Sequence, residues 1–361
     1  MKTGFGSRPR RLLCVIALSL APNAEAQSRP PLKSCPDDSQ IELSKLITLS
    51  DERHRGGIPL HPMSIARTEA GEYLLPSAEL DRLFVFDTTG QIIRTIGTPS
   101  QPFKMITAIL SAPDGSFRVY DRMSRTLSVL DRDLTLLRKY TFRYYPALLV
   151  ENKYYIHNEH ITTPELAGYP LHTIDESGAV LRSFGVSGDV YRADEPLRND
   201  RVVTSSTGGM VWAAPPGKYL LERWDPLRGL RESSLDVQSA WFRESARFPR
   251  RGQRPSPIIE SLWEVNGCIW VLLRDADSKW RAPPESQTER RFDPDEYDRT
   301  YDFILEVVAI DTAKVVASRR FDRALWGKGN SFMLMTRRST TEGLTEVDVW
   351  QPQLVRQGRK R

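Results

Sequence analysis

LFVFDTTGQIIRTIG, residues 83–97, is an apolar strand, a polar turn opened by Asp87, and a second alternating strand. The phrase recurs as LSVLDRDLTLLRKYT at 127–141 and as LHTIDESGAVLRSFG at 171–185, so that Asp87, Asp131 and Asp175 stand 44 residues apart each time. Two strands around a short polar turn make a β-hairpin. A period in the low forties built of such hairpins is the mark of a propeller blade.

Working outward, the pattern predicts an all-β chain: a six-bladed β-propeller of four-stranded antiparallel blades, one domain over residues 41–355. The blades are expected at about 62–97, 105–142, 147–185, 201–236, 258–322 and 329–355. The last of these lacks an outer strand before the basic tail at 356–361. Residues 41–49, IELSKLITL, form a strand with no partner nearby in sequence. Pairing it with the last blade closes the ring and removes two exposed edges.

Residues 1–26 read as a secretory signal. Lys2, Arg8, Arg10 and Arg11 precede a short apolar run at 12–21, and Ala24 and Ala26 offer small residues for cleavage before Gln27. The run is too short to span a bilayer, and residues 27–40 read as a flexible lead. A secreted or periplasmic protein is expected, without a transmembrane segment. Of a net charge of +5, cleavage removes four basic residues and one acidic one, leaving +2, and the tail residues Arg356, Arg359, Lys360 and Arg361 carry more than that remainder. That balance, with export, disfavours nucleic acid as a partner. Cys35 and Cys268 remain in the mature chain; an oxidising compartment permits a disulfide between them, and two unpaired thiols are the alternative.

His61-Pro62-Met63-Ser64-Ile65-Ala66, Gly71-Glu72-Tyr73-Leu74 and Arg82-Leu83-Phe84-Val85-Phe86-Asp87 together resemble an NHL-type repeat. Blade two has the more typical Asp114-Gly115 and Val119-Tyr120-Asp121, whereas blade one carries Pro76 where the later aspartate is expected. The resemblance covers residues 60–185. It implies a six-bladed propeller and leaves activity open, because the family includes ligand-binding, protein-binding and enzymatic members.

Antiparallel strands reverse at every turn, so the second-to-third loops and the blade linkers share one face. Insertions at 158–170, 186–200, 238–257 and 275–300 all fall there, and long loops on a rigid scaffold are where functional groups concentrate. One insertion carries Trp241, Phe242, Arg243, Arg247, Phe248, Arg250, Arg251 and Arg254; Trp280 stands in the next. Guanidinium beside aromatic faces suits a small anionic or sugar-like ligand or a protein partner. Trp241, Arg243, Arg247, Arg250 and Trp280 are therefore the expected binding residues of a monomeric scaffold.

An acidic run, Asp293, Asp295, Glu296, Asp298 and Asp302, lacks the glycine and terminal glutamate of a calcium loop and reads as a partner for Arg290, Arg291 and Arg299. The alternative function is a metal-dependent lyase or lactone-type hydrolase. In that reading His61, His157 and His160 converge at the channel mouth on a divalent metal, zinc or calcium. No P-loop, dinucleotide fingerprint, nucleophile elbow or HExxH motif occurs. The exported protein is expected to begin at Gln27; an N-terminal mass measurement that finds Met1 retained contradicts the signal.

Overall fold

Each copy of the repeat is a hairpin closed by its own aspartate in the computed structural model, which describes residues 35–36, 39–50, 64–77, 81–97, 103–159, 166–185, 194–250, 252–282, 294–327, 331–339 and 345–356. The Asp87 carboxylate accepts the N–H groups of Thr89 and Gln91 at 2.8 and 3.0 Å. Asp131 does the same for Asp133 and Thr135 at 3.0 and 2.8 Å, and Asp175 for Ser177 and Ala179 at 2.8 and 2.9 Å. These bonds satisfy turn amides that the ladder leaves open. The third residue after each aspartate is left-handed, with φ of 87° at Gly90, 63° at Leu134 and 84° at Gly178. For Leu134 that conformation costs about 1–2 kcal/mol, and burial of its side chain between two blades offsets the cost.

Strand β1 (Ser39–Ser50) precedes the repeats. Blade one holds β2 (Ala66–Arg67), β3 (Tyr73–Pro76), β4 (Leu83–Phe86) and β5 (Ile92–Ile96). Blade two holds β6 (Ile106–Ser111), β7 (Phe117–Asp121), β8 (Thr126–Leu130) and β9 (Leu136–Thr141). Blade three holds β10 (Leu148–Val150), β11 (Tyr154–His157), β12 (Leu171–Ile174) and β13 (Val180–Phe184). Blade four follows a one-turn helix, α1 (Pro196–Asn199), with β14 (Val202–Ser205), β15 (Val211–Ala214), β16 (Leu220–Asp225) and β17 (Leu230–Asp236). Blade five holds β18 (Ile258–Val265), β19 (Cys268–Ala276), helix α2 (Pro294–Thr300), β20 (Tyr301–Ala309) and β21 (Val315–Phe321). The sixth blade consists of β22 (Leu334–Ser339) and β23 (Thr345–Arg356), with β1 as its outer strand. Among the described residues its innermost position is held by Trp326, which exchanges both backbone hydrogen bonds with Met335 at 2.9 and 2.7 Å.

The sheets are antiparallel, paired in chain order, and form the six-bladed ring expected from the repeat. First strands of neighbouring blades approach one another, which places them on the axis. Both faces of a blade are buried, and the LFVF run shows how. Leu83 and Val85 pack toward blade two with Ile106 and Val119, whereas Phe84 and Phe86 pack toward blade six with Leu334 and Val347. Alternation along the strand thus serves two neighbours rather than core and solvent. The outer strands β9 and β17 are solvated along nearly their whole length.

Asp121, fully buried at the end of β7, anchors the linker entering blade two. Its carboxylate accepts the N–H groups of Lys104, Met105 and Ser124 at 2.8, 3.0 and 3.1 Å. Burial alone raises its pKa, but these donors outweigh it and hold the carboxyl below its ordinary value. Between blades, Arg94 donates to the Asp133 carbonyl at 3.0 Å and Arg138 to Glu176 at 2.7 Å, each reaching the aspartate-led turn of the next blade.

Closure takes the form the sequence predicts. β1 and β23 pair from Ser39↔Arg356 to Ser50↔Glu346, with a bulge between Lys45 and Ile47. Asp348 on β23 accepts from Thr48 and pairs with Lys45, both at 2.7 Å. Arg319 of blade five donates to the Ile41 carbonyl at 3.0 Å. On the other side, Gly90 of blade one lies against β1 so closely that a Cβ there would sit 2.0 Å from the Thr48 carbonyl oxygen. Cys35 and Cys268 form a disulfide across a separation of 233 residues. Among the described residues no helix is long and apolar enough to cross a membrane.

Replacing both cysteines by serine is expected to lower unfolding free energy, by up to about 5 kcal/mol in a chain-entropy account of so long a loop. Denaturant unfolding of the variant at an unchanged midpoint contradicts a role for the bridge in holding the ring shut.

Candidate channel-mouth site

The long connections β11–β12, β13–β14, β17–β18 and β19–β20 leave the face on which the first strands begin. A cavity of about 400 Å³ lies there, walled by the starts of β6, β10, β14 and β18 at Thr107, Ala147, Val202 and Ile258. The ends of second strands and the loops after them add Arg122, Asn158, Glu159 and Arg274. Four blades therefore contribute to one concavity, because their first strands converge. Val203, Ile259, Leu262, Leu197 and Phe248 make much of its surface apolar.

Arg201, the residue before β14, is the organising side chain. It is 4% exposed, and its Nη1 donates to the carbonyls of Arg198, Asn199 and Asp200 at 2.7, 3.2 and 2.9 Å. Its Nη2 reaches the Gly185 carbonyl at 3.2 Å, and its Nε lies 3.9 Å from the fully buried Glu222 carboxylate. One guanidinium thus fixes the backbone on which Asp200 is presented. Asn158, after β11, donates to the Arg201 carbonyl at 2.7 Å and joins the loop of blade three to blade four.

Two ion pairs and a further carboxylate also face the cavity. Arg122 and Glu159 pair at 3.2 Å at the rim. Arg274 binds Glu260 at 2.8 Å, donates to the Tyr297 hydroxyl at 2.6 Å, and lies over the Tyr301 ring at 4.5 Å from its centroid. Asp200 is half-buried, and its carboxylate makes no hydrogen bond or ion pair with a described residue. Burial, then the negative charge of Glu159, pushes its carboxyl above the ordinary range, and Arg201 pulls the other way. Tyr145, also on the cavity wall, is pushed up to about 12 by burial and by Glu159, so its hydroxyl keeps its proton. Thr107, 4% exposed, carries a hydroxyl without a hydrogen-bond partner among the described residues.

The residues expected from the sequence are placed differently. Trp241 donates from its indole to buried Glu306 at 3.0 Å, beside the Tyr219 hydroxyl, which donates to the same carboxylate at 2.7 Å. Its ring packs against Phe242, so this aromatic anchors the insertion on blade five. Arg247 pairs with Asp194 at 2.5 Å and Glu195 at 3.5 Å, tying the 238–257 insertion to the linker before blade four. Arg243 and Arg250 are exposed, Trp280 is half-buried, and none of the three lines the cavity. Among the described residues of that aromatic and basic stretch, only Phe248 reaches it.

His157 is buried, with its Nδ1 2.9 Å from the Tyr145 carbonyl and its ring between Tyr144 and His172. The carbonyl can only accept, so Nδ1 carries the proton, and burial lowers the pKa and keeps the ring neutral. His61 and His160 lie outside the described residues, among which no cluster of three or more His, Cys, Asp or Glu is arranged to hold a metal. Of the acidic run, Asp302 pairs with Arg320 at 2.5 Å and Asp298 accepts the Ala324 N–H at 2.8 Å, so these two brace blade five.

No family model matches the sequence, and no curated protein does. Among solved structures, the chain is similar to a member of the DUF4221 family from Bacteroides vulgatus, at 12% identity and a TM-score of 0.56, over 88% of this chain and all (100%) of that one. A candidate exported protein of Bacteroides fragilis aligns at 9% identity and a TM-score of 0.57, over 87% of this chain and 95% of that one. Virginiamycin B lyase from Staphylococcus aureus aligns at 9% identity and a TM-score of 0.46, over 86% and 99%. At these identities the likeness shows the shared propeller fold and nothing of activity.

A carboxyl whose pKa is raised on folding holds its proton more tightly in the native state. Its ionisation therefore opposes folding above the unfolded pKa, and the penalty vanishes as the pH falls below that value. Asp200→Asn is thus expected to match or exceed the wild-type melting temperature at pH 7, with the gap closing near about pH 4. A clearly lower melting temperature at pH 7 contradicts an unpaired Asp200.

Proposed function

We propose that this protein is an exported, monomeric propeller that binds a small molecule in the channel-mouth cavity of its long-loop face. The observation that carries the reading is the cavity itself. At about 400 Å³ it falls in the size range of small-ligand sites, roughly 300–1,000 Å³, and it combines apolar walls with a few fixed polar groups. A preformed wall matters because a ligand then binds without the cost of ordering loops. Arg201 supplies that rigidity here by bonding four carbonyls at once. Export is supported by the leader-like residues 1–26 and by the Cys35–Cys268 disulfide, a bond that reducing compartments disfavour. Descent from NHL-type propellers belongs to the same reading, supported by the linker-capping role of Asp121 at the end of β7.

The alternative is a metal-dependent lyase or hydrolase using His61, His157 and His160. Its support is that a ligating histidine commonly gives its other N–H to a carbonyl, as His157 gives Nδ1 to Tyr145. Stoichiometric zinc or calcium lost on His157→Ala would favour this version; its absence from the wild-type protein removes it.

Ala147, small and half-buried on the cavity wall, is the position from which to fill the site. Ala147→Trp is expected to abolish binding of any compound that raises the wild-type melting temperature while leaving the far-ultraviolet spectrum unchanged. Retained thermal shifts in a folded variant contradict the cavity as the site.

A further inference from the structure

The charges around the cavity say which chemical class it takes. Each guanidinium on the wall is already engaged: Arg201 by four carbonyls, Arg274 by Glu260 and Tyr297, and Arg122 by Glu159. An anion entering here gains a cation only by breaking one of these pairs, and it meets Asp200, Glu159 and Glu260 on the same wall. A cation meets the opposite situation. Asp200 offers a carboxylate that no described residue neutralises, half-buried where a charged hydrogen bond is less weakened by water than at an open surface. Beside it, Leu197, Val203 and Leu262 provide apolar surface for the body of the same ligand. The Thr107 hydroxyl, on the cavity wall but from blade two, is buried and has no hydrogen-bond partner among the described residues, a second and independent polar group placed to meet a ligand.

We infer that the channel-mouth cavity binds an organic cation, an amine or guanidine on an apolar frame, with Asp200 as its counter-ion and Glu159 as a second carboxylate at the rim. The inference rests on the cavity being the binding site, and it replaces the anionic ligand expected from the arginine-rich insertion. That insertion's Arg247 is spent on Asp194 and Glu195, and Trp241 on Glu306. Arg247, through these pairs, and Arg254, which donates to the Ala276 carbonyl at 3.2 Å, thus fasten the loop that carries Phe248.

The test is isothermal titration of the full mature chain with three probes of matched shape: phenethylamine, 3-phenylpropionate and the neutral 3-phenylpropanamide. The amine is expected to bind wild type, with the other two weaker by about tenfold or more, the fold-change of one charge-assisted hydrogen bond. Asp200→Asn is expected to lose the amine by a similar factor while keeping its melting temperature, and Ala147→Trp to lose every probe. Preference for the carboxylate, abolished by Ala147→Trp, overturns the cationic class and leaves the cavity as the site. Amine binding unchanged in Asp200→Asn overturns the role of that carboxylate. Binding by none of the three probes at millimolar concentration overturns both the ligand class and the site.

Discussion

Everything in this molecule depends on the pairing of its first described strand with its last. A blade buries both faces only if it has a neighbour on each side, so an open row of blades leaves two apolar faces in water. The β1–β23 ladder removes that cost by making the two ends of the chain one sheet. The largest apolar cluster lies at that seam, uniting Phe84 and Phe86 of blade one, Leu334 and Val347 of blade six, and Trp270 and Phe303 of blade five. Leu49 and Ile41 on β1 are buried there, each adding about 1.5–3 kcal/mol by the usual transfer scale. The Cys35–Cys268 bridge acts on the same seam by shortening the excursions of the unfolded chain.

Closure also creates the site. Residues from blades two to five, from Thr107 to Arg274, share one cavity only because the ring brings their first strands to a common axis. The wall is then stiffened locally. Arg201 gathers the carbonyls of 185 and 198–200, and Asn158 binds the Arg201 carbonyl in turn. The insertion above is pinned by Arg247 on one side and Trp241 on the other. Among the described residues, the charge left unpaired within this fixed frame is the Asp200 carboxylate, and that is the feature on which the proposed ligand class rests.

Much of the fold was legible in the sequence, for a local reason. Asp87, Asp131 and Asp175 each organise a turn through bonds to amides two and four residues on, so the period survives changes elsewhere. The unpaired strand at 41–49 and the missing outer strand of blade six likewise pointed to each other. The face on which the cavity opens followed from strand direction alone. Its residues did not, because composition draws attention to clusters such as Trp241 to Arg254, and a cluster does not reveal which side chains are already engaged. Trp241 looks like a ligand platform in sequence and is a core anchor against Glu306 in the fold. Asp200 looks like one acid among many. What sets it apart is that Arg201, its neighbour, turns to backbone carbonyls and to Glu222 instead of pairing with it. The one available signal was positional: residues just before a first strand or just after a second strand face the channel mouth, and Asp200, Arg201, Asn158 and Arg122 all satisfy that rule.

The measurement that bears most directly on a ring sealed by its ends is native-state hydrogen exchange along β1. If the ladder with β23 closes the propeller, the paired amides of Ser39–Ser50 exchange only through global unfolding, as slowly as those of β19 in the middle of blade five. Exchange of the β1 amides at the rate of a frayed terminus, with β19 still protected, would contradict the closed ring and the cavity built upon it.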